Sequence, residues 1–186
     1  MEYMKDSSIH TLVIGASVSG LSCAACLQKQ AIKYLVIEKE SQVAAPWYCH
    51  YERLHLHTSK RFSHLPYKKF GRIISRYPSR RQVIEYLNDY QKTFEIKPIF
   101  DTEALLVKKE GNQWVTETNN GIYTSRLLIL ATGPYAKPKT IVFKGVESFT
   151  GRILHSCQYK TGRDFKNQKV LVIGFGNSAT EIAIDL

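Results

Sequence analysis

The feature that most constrains the fold is a pattern that occurs twice: an apolar run, a glycine turn and a helix-forming stretch. The first copy covers residues 10–27 and turns at Gly15, and the second covers residues 169–186 and turns at Gly174. A strand that leads through a glycine turn into a helix gathers backbone N–H groups and the positive end of the helix dipole, where a pyrophosphate can bind. Each copy therefore predicts a dinucleotide site, and two copies 159 positions apart are far more specific than one.

The two turns depart from the usual spelling, G-x-G-x-x-G, at different places. In the first, Gly15 and Gly20 fill the outer places, but Ser17 stands where a glycine normally lets the backbone approach the pyrophosphate. In the second, Ala179 replaces only the third glycine, which is an accepted variant. The predicted cofactor contacts are Gly15, Ala16, Ser17, Val18, Ser19 and Gly20 in the first turn, and Gly174, Phe175, Gly176, Asn177, Ser178 and Ala179 in the second.

An acidic residue indicates which dinucleotide suits the first turn. Glu38 ends the next apolar run and lies 18 positions after Gly20, close to the ~20 at which a carboxylate binds the ribose hydroxyls. A carboxylate accepts hydrogen bonds from free hydroxyls but repels a 2′-phosphate. The first site is therefore predicted to bind FAD or NAD rather than NADP, with Glu38 and the adjacent Lys39 among its contacts. The alternative for Glu38 is a solvated strand end.

Composition narrows the class of protein. A chain of 186 residues can bury one substantial core, and its 44% hydrophobic and 23% charged content is that of a globular protein. Its net charge of +10 comes from scattered basic residues, which favours a solvated surface or attraction for phosphate-bearing cofactors over nucleic acid. The sequence has neither a signal peptide nor a run of 18 apolar residues. We therefore expect no nucleic-acid partner, no stable membrane insertion and a reducing, cytoplasmic location.

Two residue pairs raise the question of a metal. Cys23 and Cys26 have the spacing of a redox or zinc pair, but they fall on the small, apolar side of the predicted helix, where core packing is favoured. His55 and His57 share one face of an extended segment, but no Asp, Glu or Cys is spaced to complete a metal shell. We therefore predict no metal site.

Residues 41–77 show no clear periodicity and are dense in aromatic, histidine and basic residues, which is typical of a functional segment. Trp47 is its best candidate for stacking on a flat ring system, and the alternative is a plain core tryptophan. A capping box follows, with Ser79 as N-cap and Gln82 three positions later, and predicts a packing helix that runs to about Phe94.

Strand-like runs and turns predict a small antiparallel meander at about residues 96–126, inserted in the parallel fold. The last run becomes continuously apolar from Leu127. This part is predicted to be a strand that returns to the buried parallel sheet. Ala131, Thr132 and Gly133 end this strand and are predicted to lie beside the cofactor.

These residues together resemble the plant YUCCA branch of the flavin-containing monooxygenases, the indole-3-pyruvate monooxygenases. The likeness runs through IGASVSGLSCAACL, PWYCHYERLHLH, PSRRQVIEYL and LATG to the second glycine turn. Its most specific part is Phe149-x-Gly151-x3-His155-x3-Tyr159, which looks like the identifying motif F-x-G-x3-H-x3-[YF] of the family. An ordinary linker is the alternative for this stretch.

The resemblance implies an α/β fold with two dinucleotide-binding units of Rossmann type. Residues 1–135 would form an FAD-binding domain that carries the meander, and residues 136–186 the truncated start of an NADPH-binding domain. NADPH and O2 would serve the oxidation of a small molecule, indole-3-pyruvate, to indole-3-acetate in auxin biosynthesis. The cofactor performs the difficult step in such chemistry, so no catalytic side chain is named.

Two other functions stay open: a related flavoprotein, such as a Baeyer–Villiger or an N- or S-oxygenating enzyme, and a non-catalytic flavin-binding remnant. Ser17 favours the remnant, as does the length of the second unit, since a βαβ unit needs ~30 residues and only ten follow Gly176. We therefore expect the chain to be either a fragment of one about twice as long or the product of a truncated gene.

Overall fold

A computed structural model describes residues 9–133, 138 and 143–186. The predicted boundary between two domains, after residue 135, lies outside these ranges. The strands are β1 (Ile9–Ile14), β2 (Tyr34–Ile37), β3 (Ala104–Glu110), β4 (Gln113–Thr118) and β5 (Gly121–Leu130). The α-helices are α1 (Val18–Lys29), α2 (Ala45–Cys49), α3 (Lys60–Ser63), α4 (Arg80–Thr93) and α5 (Asn177–Asp185). Short 3₁₀ helices span Val146–Ser148, Ser156–Gln158 and Gly162–Phe165.

One mixed sheet organises the fold, with strand order β2-β1-β5-β4-β3. β1 pairs in parallel with β2 and β5, whereas β4 is antiparallel to both β3 and β5. The change of character predicted in the last strand is confirmed, because Ser125 pairs with Trp114 in the antiparallel part and with Ile9 in the parallel part. The long strand β5 thus joins the meander to the parallel part of the sheet. Its apolar end is less buried than predicted, since Leu127 and Leu130 are exposed.

The core lies on both faces of β1. Val13 packs on one face with the inner stripe of α1 and with α4, while Leu12 and Ile14 pack on the other face against Ile37. The predicted capping box of α4 is confirmed: the Gln82 N–H donates to Ser79 Oγ at 3.3 Å, and the Ser79 N–H donates to Gln82 Oε1 at 3.0 Å. The packing of α1 against Val13 and α4 fixes the position of α1, whose N-terminus faces the first glycine turn.

Two predicted strands do not form among the described residues. In residues 96–100 only Ile99 forms a bridge, with Ile37, because Pro98 has no N–H to give to a ladder. The antiparallel meander therefore begins at Ala104 rather than near residue 96.

The second of these predicted strands is the apolar run before Gly174. Residues 169–173 have no strand beside them in the described ranges, and Leu171 is 83% exposed. A parallel strand needs neighbours that satisfy its backbone and cover its side chains.

Part of the predicted irregular segment is helical, since α2 and α3 lie within residues 41–77. No helix in the described ranges has the length and apolar character needed to cross a membrane. In the same part of the chain, no three His, Cys, Asp or Glu side chains are grouped as a metal site would require.

Candidate dinucleotide-binding site

The first glycine turn is closely packed between β1, α1 and the end of β5. Gly15 has φ +107°, and a Cβ built on it would stand 2.9 Å from the carbonyl carbon of Ala131. A Cβ built on Gly20 would stand 2.9 Å from the carbonyl carbon of Gly15 and closer still to its oxygen. Both contacts are with backbone, which cannot move aside as a side chain can. The outer two glycines of the motif are therefore required by the geometry of the turn itself.

The N-terminus of α1 offers backbone donors at this turn. The first hydrogen bond of the helix runs from the Leu21 N–H to the carbonyl oxygen of Ser17 at 2.9 Å. The amides of Val18, Ser19 and Gly20 therefore have no partners within the helix. These donors and the positive end of the helix dipole form the cradle that a pyrophosphate needs.

Glu38 lies next to the same turn, at the end of β2. It is only 7% exposed, and its Oε2 accepts a hydrogen bond of 2.6 Å from the N–H of Ala16. Its Oε1 accepts a second bond, of 3.1 Å, from the N–H of Glu40. A carboxylate has about four acceptor sites, so two remain for the hydroxyls of a ribose. The solvated strand end considered as the alternative for Glu38 is wrong, since the side chain is buried.

Lys39 contrasts with its neighbour. Its Nζ lies 3.6 Å from Glu40 Oε1 in a surface ion pair, and its side chain is 60% exposed. The structure thus places Glu38, but not the Lys39 ammonium, against the turn. Lys39 as a cofactor contact stays a prediction.

Ser17 is accommodated by the backbone without strain. It is the N-cap of α1 with extended angles, φ −110° and ψ −153°, and its side chain makes no capping hydrogen bond. What the serine changes is therefore the space above the turn, where a glycine would let the pyrophosphate come closer.

We expect Ser17→Gly to raise the affinity for FAD several-fold, because it removes the Cβ and hydroxyl from the approach while costing only a few tenths of a kcal/mol at an N-cap. Equilibrium dialysis against FAD checks this. Ser41→Gly is the control, since Ser41 is exposed and is not among the residues assigned to the turn. An unchanged or lower affinity for Ser17→Gly would mean that the hydroxyl itself contributes to binding.

The end of β5 completes the wall of the turn. The Ala131 N–H donates to the carbonyl oxygen of Ile14 at 2.8 Å, which carries the sheet contact to the edge of the turn. Thr132 and Gly133 follow and are exposed. Ala131 therefore lies against the first turn. The contact of Ala131, Thr132 and Gly133 with a cofactor stays a prediction.

Trp47 lines a cavity of about 230 Å³ beside the start of α1. The walls are mostly apolar and include Val18, Leu56, Phe70 and Tyr86. Trp47 is half-buried, and its ring meets that of His50 edge-on, with centroids 5.8 Å apart. The cavity has room for part of a flat ring system next to the glycine turn. Stacking of Trp47 on such a ring is compatible with this space and stays a prediction.

The second turn has the same backbone form with looser packing. Gly174 has φ +129°, and a Cβ built on it would lie 3.7 Å from Ala179 Cβ, an ordinary contact. The Thr180 N–H donates to the carbonyl oxygen of Gly176 at 3.1 Å, so the amides of Asn177, Ser178 and Ala179 have no partners within the helix. Phe175 is 96% exposed. This second set of free donors could receive another phosphate group.

Helix α5 packs near Tyr51 and His57 through contacts that the sequence did not reveal. A small buried cluster consists of Tyr51, Tyr159 and Ile182, the last of which belongs to α5. His57 Nε2 lies 2.6 Å from Glu181 Oε1. Burial and the nearby Glu181 carboxylate raise the pKa of Tyr51 to about 12. His57, considered above as half of a metal pair, instead contacts α5.

The stretch from Phe149 to Tyr159 is built into this packing. Tyr159 is buried, and its O–H donates to Asp185 Oδ2 at 2.6 Å. The ring of Phe149 covers Gly151, where a Cβ would lie 2.6 Å from Phe149 Cε1. His155 caps a 3₁₀ helix, its Nδ1 accepting from the Cys157 N–H at 3.2 Å. The motif thus orders the segment that leads into the second turn.

Tyr159→Phe is expected to lower Tm by about 3–12 °C, because it removes a partly buried bond to a charged acceptor worth about 1.5–3 kcal/mol. Thermal unfolding followed by circular dichroism measures the shift. Tyr123→Phe is the control, since the Tyr123 hydroxyl has no hydrogen bond within the described residues. Equal shifts in the two variants would show that the Tyr159–Asp185 bond contributes nothing of its own.

Comparison with known sequences gives the family. The sequence model of the pyridine nucleotide-disulphide oxidoreductases matches residues 12–186, which include both glycine turns. The chain belongs to this family. Indole-3-pyruvate monooxygenase YUCCA6 of Arabidopsis thaliana is 39% identical, an alignment that covers 94% of this chain and 44% of the relative. The resemblance drawn from the motifs is therefore confirmed. The chain spans less than half the length of such curated relatives.

Two solved structures share the fold. A flavin monooxygenase mutant from Stenotrophomonas maltophilia is 28% identical with a TM-score of 0.89, and the match covers 97% of this chain and 54% of that one. OTEMO, in complex with FAD and NADP, is 26% identical with a TM-score of 0.76, over 97% of this chain and 37% of that one. The predicted α/β fold with a Rossmann-like flavin-binding unit is confirmed.

Proposed function

We propose that the chain is the FAD-binding part of a flavin monooxygenase that uses FAD, NADPH and O2. The observation that carries the proposal is the buried Glu38 carboxylate, hydrogen-bonded to the Ala16 amide of a glycine turn whose helix has free N–H donors. This arrangement suits the ribose and pyrophosphate of a dinucleotide without a 2′-phosphate. The similarity to YUCCA6, to the bacterial flavin monooxygenase and to OTEMO with FAD and NADP supports the same assignment.

Each part of the chain has a proposed role. Residues 9–133 hold FAD, with the pyrophosphate at the amides of residues 18–20, the ribose at Glu38 and one side of the ring system near Trp47. The second turn, Gly174 to Ala179, is proposed for NADPH, and we place the division between the two units near residue 135. When bound, the flavin accepts reducing equivalents from NADPH and uses them to activate O2. The residues named here bind and orient the cofactors.

Indole-3-pyruvate is the substrate that we propose, with oxidative decarboxylation to indole-3-acetate as the reaction. The support is the identity of 34–39% to several indole-3-pyruvate monooxygenases, each aligned over 94% of this chain. A role in plant auxin biosynthesis and a cytoplasmic location belong to the same proposal.

The test compares the chain alone with a fusion of the chain to the C-terminal part of YUCCA6. Both are loaded with FAD, and NADPH oxidation is followed at 340 nm with indole-3-pyruvate, an amine or a sulfide. We expect the fusion to oxidise NADPH fastest with indole-3-pyruvate and to form indole-3-acetate. The Glu38→Ala fusion is the control for a background from free flavin.

Three outcomes would contradict this proposal in different ways. Faster turnover of the amine or the sulfide would indicate an N- or S-oxygenating enzyme. Bound FAD without NADPH oxidation in the fusion would indicate a non-catalytic flavin-binding protein. Failure of both proteins to retain FAD would remove the basis of the whole assignment.

A further inference from the structure

The charge of the chain is concentrated in one segment that the proposed cofactor sites leave mostly unused. Residues 54–84 contain eight of the 26 Lys and Arg residues and none of the 16 Asp and Glu residues. This segment alone therefore contributes +8 of the net charge of +10. A surface with one sign of charge attracts partners of the opposite sign.

Hydrogen bonds join two parts of this segment, α3 and residues 71–76, into one exposed surface. The Lys60 ammonium donates to the carbonyl oxygen of Arg72 at 2.9 Å, and the Lys60 N–H donates to that of Arg76 at 2.7 Å. These bonds hold α3 against the turn at residues 71–74, where the Ile74 N–H donates to the Gly71 oxygen. Each of these two elements carries a large exposed apolar side chain. Phe62 of α3 is 79% exposed, and Ile73 of the turn is 98% exposed.

The cations around these two side chains are free of carboxylates. Within the described residues, Arg61, Lys69, Arg72 and Arg76 form no ion pair, whereas Lys68 pairs with Asp89. The Arg61 guanidinium lies 5.7 Å from the ring centroid of Phe62. The surface thus combines exposed apolar groups with unpaired positive charge. We call Arg61, Phe62, Lys69, Arg72, Ile73 and Arg76 the basic tip.

We propose that the basic tip binds the surface of an anionic lipid membrane. Apolar side chains that enter the headgroup region, flanked by Lys and Arg that meet anionic headgroups, are the means by which proteins lie on a membrane without spanning it. An aliphatic side chain as exposed as Ile73 gains nothing from a phosphate backbone in water, which makes a nucleic acid the less suitable partner. The same side chain gains on entering a bilayer. The proposal concerns a surface separate from the glycine turns and does not depend on cofactor binding.

Flotation with vesicles tests the proposal. The probes are vesicles of phosphatidylcholine alone and of phosphatidylcholine with phosphatidylserine, at low and high salt. We expect binding only to the vesicles with phosphatidylserine, weakened by salt. Arg72→Gln should reduce the partition coefficient about fivefold, and Ile73→Ser about tenfold.

The controls are an exposed cation and an exposed apolar residue elsewhere. Arg126→Gln lies on β5, and Leu105→Ser lies on β3, where Leu105 is 65% exposed. Both should bind vesicles as the unchanged protein does. Equal binding to the two kinds of vesicle, or equal losses in the tip and control variants, would overturn the proposal. So would tighter binding to a single-stranded oligonucleotide that Ile73→Ser leaves intact, which would indicate a nucleic-acid surface.

Discussion

Gly20→Ala is expected to lose FAD and to lower Tm by about 6–12 °C, the shift for roughly 3 kcal/mol in a protein of this size. The new Cβ would stand 2.9 Å from the carbonyl carbon of Gly15 and closer still to the oxygen. Relief would require α1 to move away from the turn. That movement would break the packing of Leu21, Ala24 and Ala25 against the core and displace the free amides from the pyrophosphate. Thermal unfolding and the flavin absorbance after gel filtration give the two readouts.

Gly176→Ala is the matched control in the second turn. Gly176 has φ −85°, and a Cβ built there meets nothing within 4 Å. We expect its Tm to stay within about 2 °C of the unchanged protein and its FAD content to be unaffected. Affinity for NADP+ should fall, since Gly176 holds the close-approach place of that turn. If Gly20→Ala kept both its Tm and its FAD, the first turn would not be packed as described.

Glu38→Ala is expected to weaken FAD binding by about 10- to 100-fold, because bonds from ribose hydroxyls to a charged acceptor are worth about 1.5–3 kcal/mol. The change also leaves the Ala16 N–H without its 2.6 Å partner in a buried place. We therefore expect a lower Tm in the absence of FAD as well. Titration calorimetry with FAD and with NADP+ measures the effect at each site.

Glu40→Ala is the control for Glu38→Ala, because Glu40 is acidic, two positions further along and 52% exposed in its side chain. It should leave FAD binding unchanged. NADP+ affinity should be the same in both variants, since the second turn uses other residues. An equal loss of FAD and NADP+ affinity in Glu38→Ala would show that the two sites are assigned wrongly.

The features that were predictable from the sequence rest on local patterns. Gly15 and Gly20 are spaced by the geometry of one turn, Glu38 follows the next strand at a characteristic distance, and Ser79 with Gln82 forms a capping box within one helical turn. The return of the last strand to the parallel sheet was also predictable, because its alternating polar pattern gives way to an apolar run.

The features that were missed depend on residues far apart in the chain. The contact between His57 and Glu181 joins positions 124 apart, and Tyr159 meets Asp185 across 26 positions. Spacing gives no signal for such pairs. The failed strand at residues 96–100 had a local cause, Pro98, whose missing N–H outweighs the apolar pattern. The exposed run at residues 169–173 shows the converse: an apolar pattern alone does not make a strand without neighbours.

The most direct test of the central claim compares retention of FAD with retention of FMN. The first turn and Glu38 are assigned to the pyrophosphate and the adenosine ribose, and FMN lacks the adenylate half of FAD. The protein is incubated with each flavin, passed through gel filtration and measured for bound flavin. We predict about one FAD per chain and almost no FMN. Equal retention of the two flavins, or retention of neither, would contradict the assignment of the Gly15 to Gly20 turn as an FAD site.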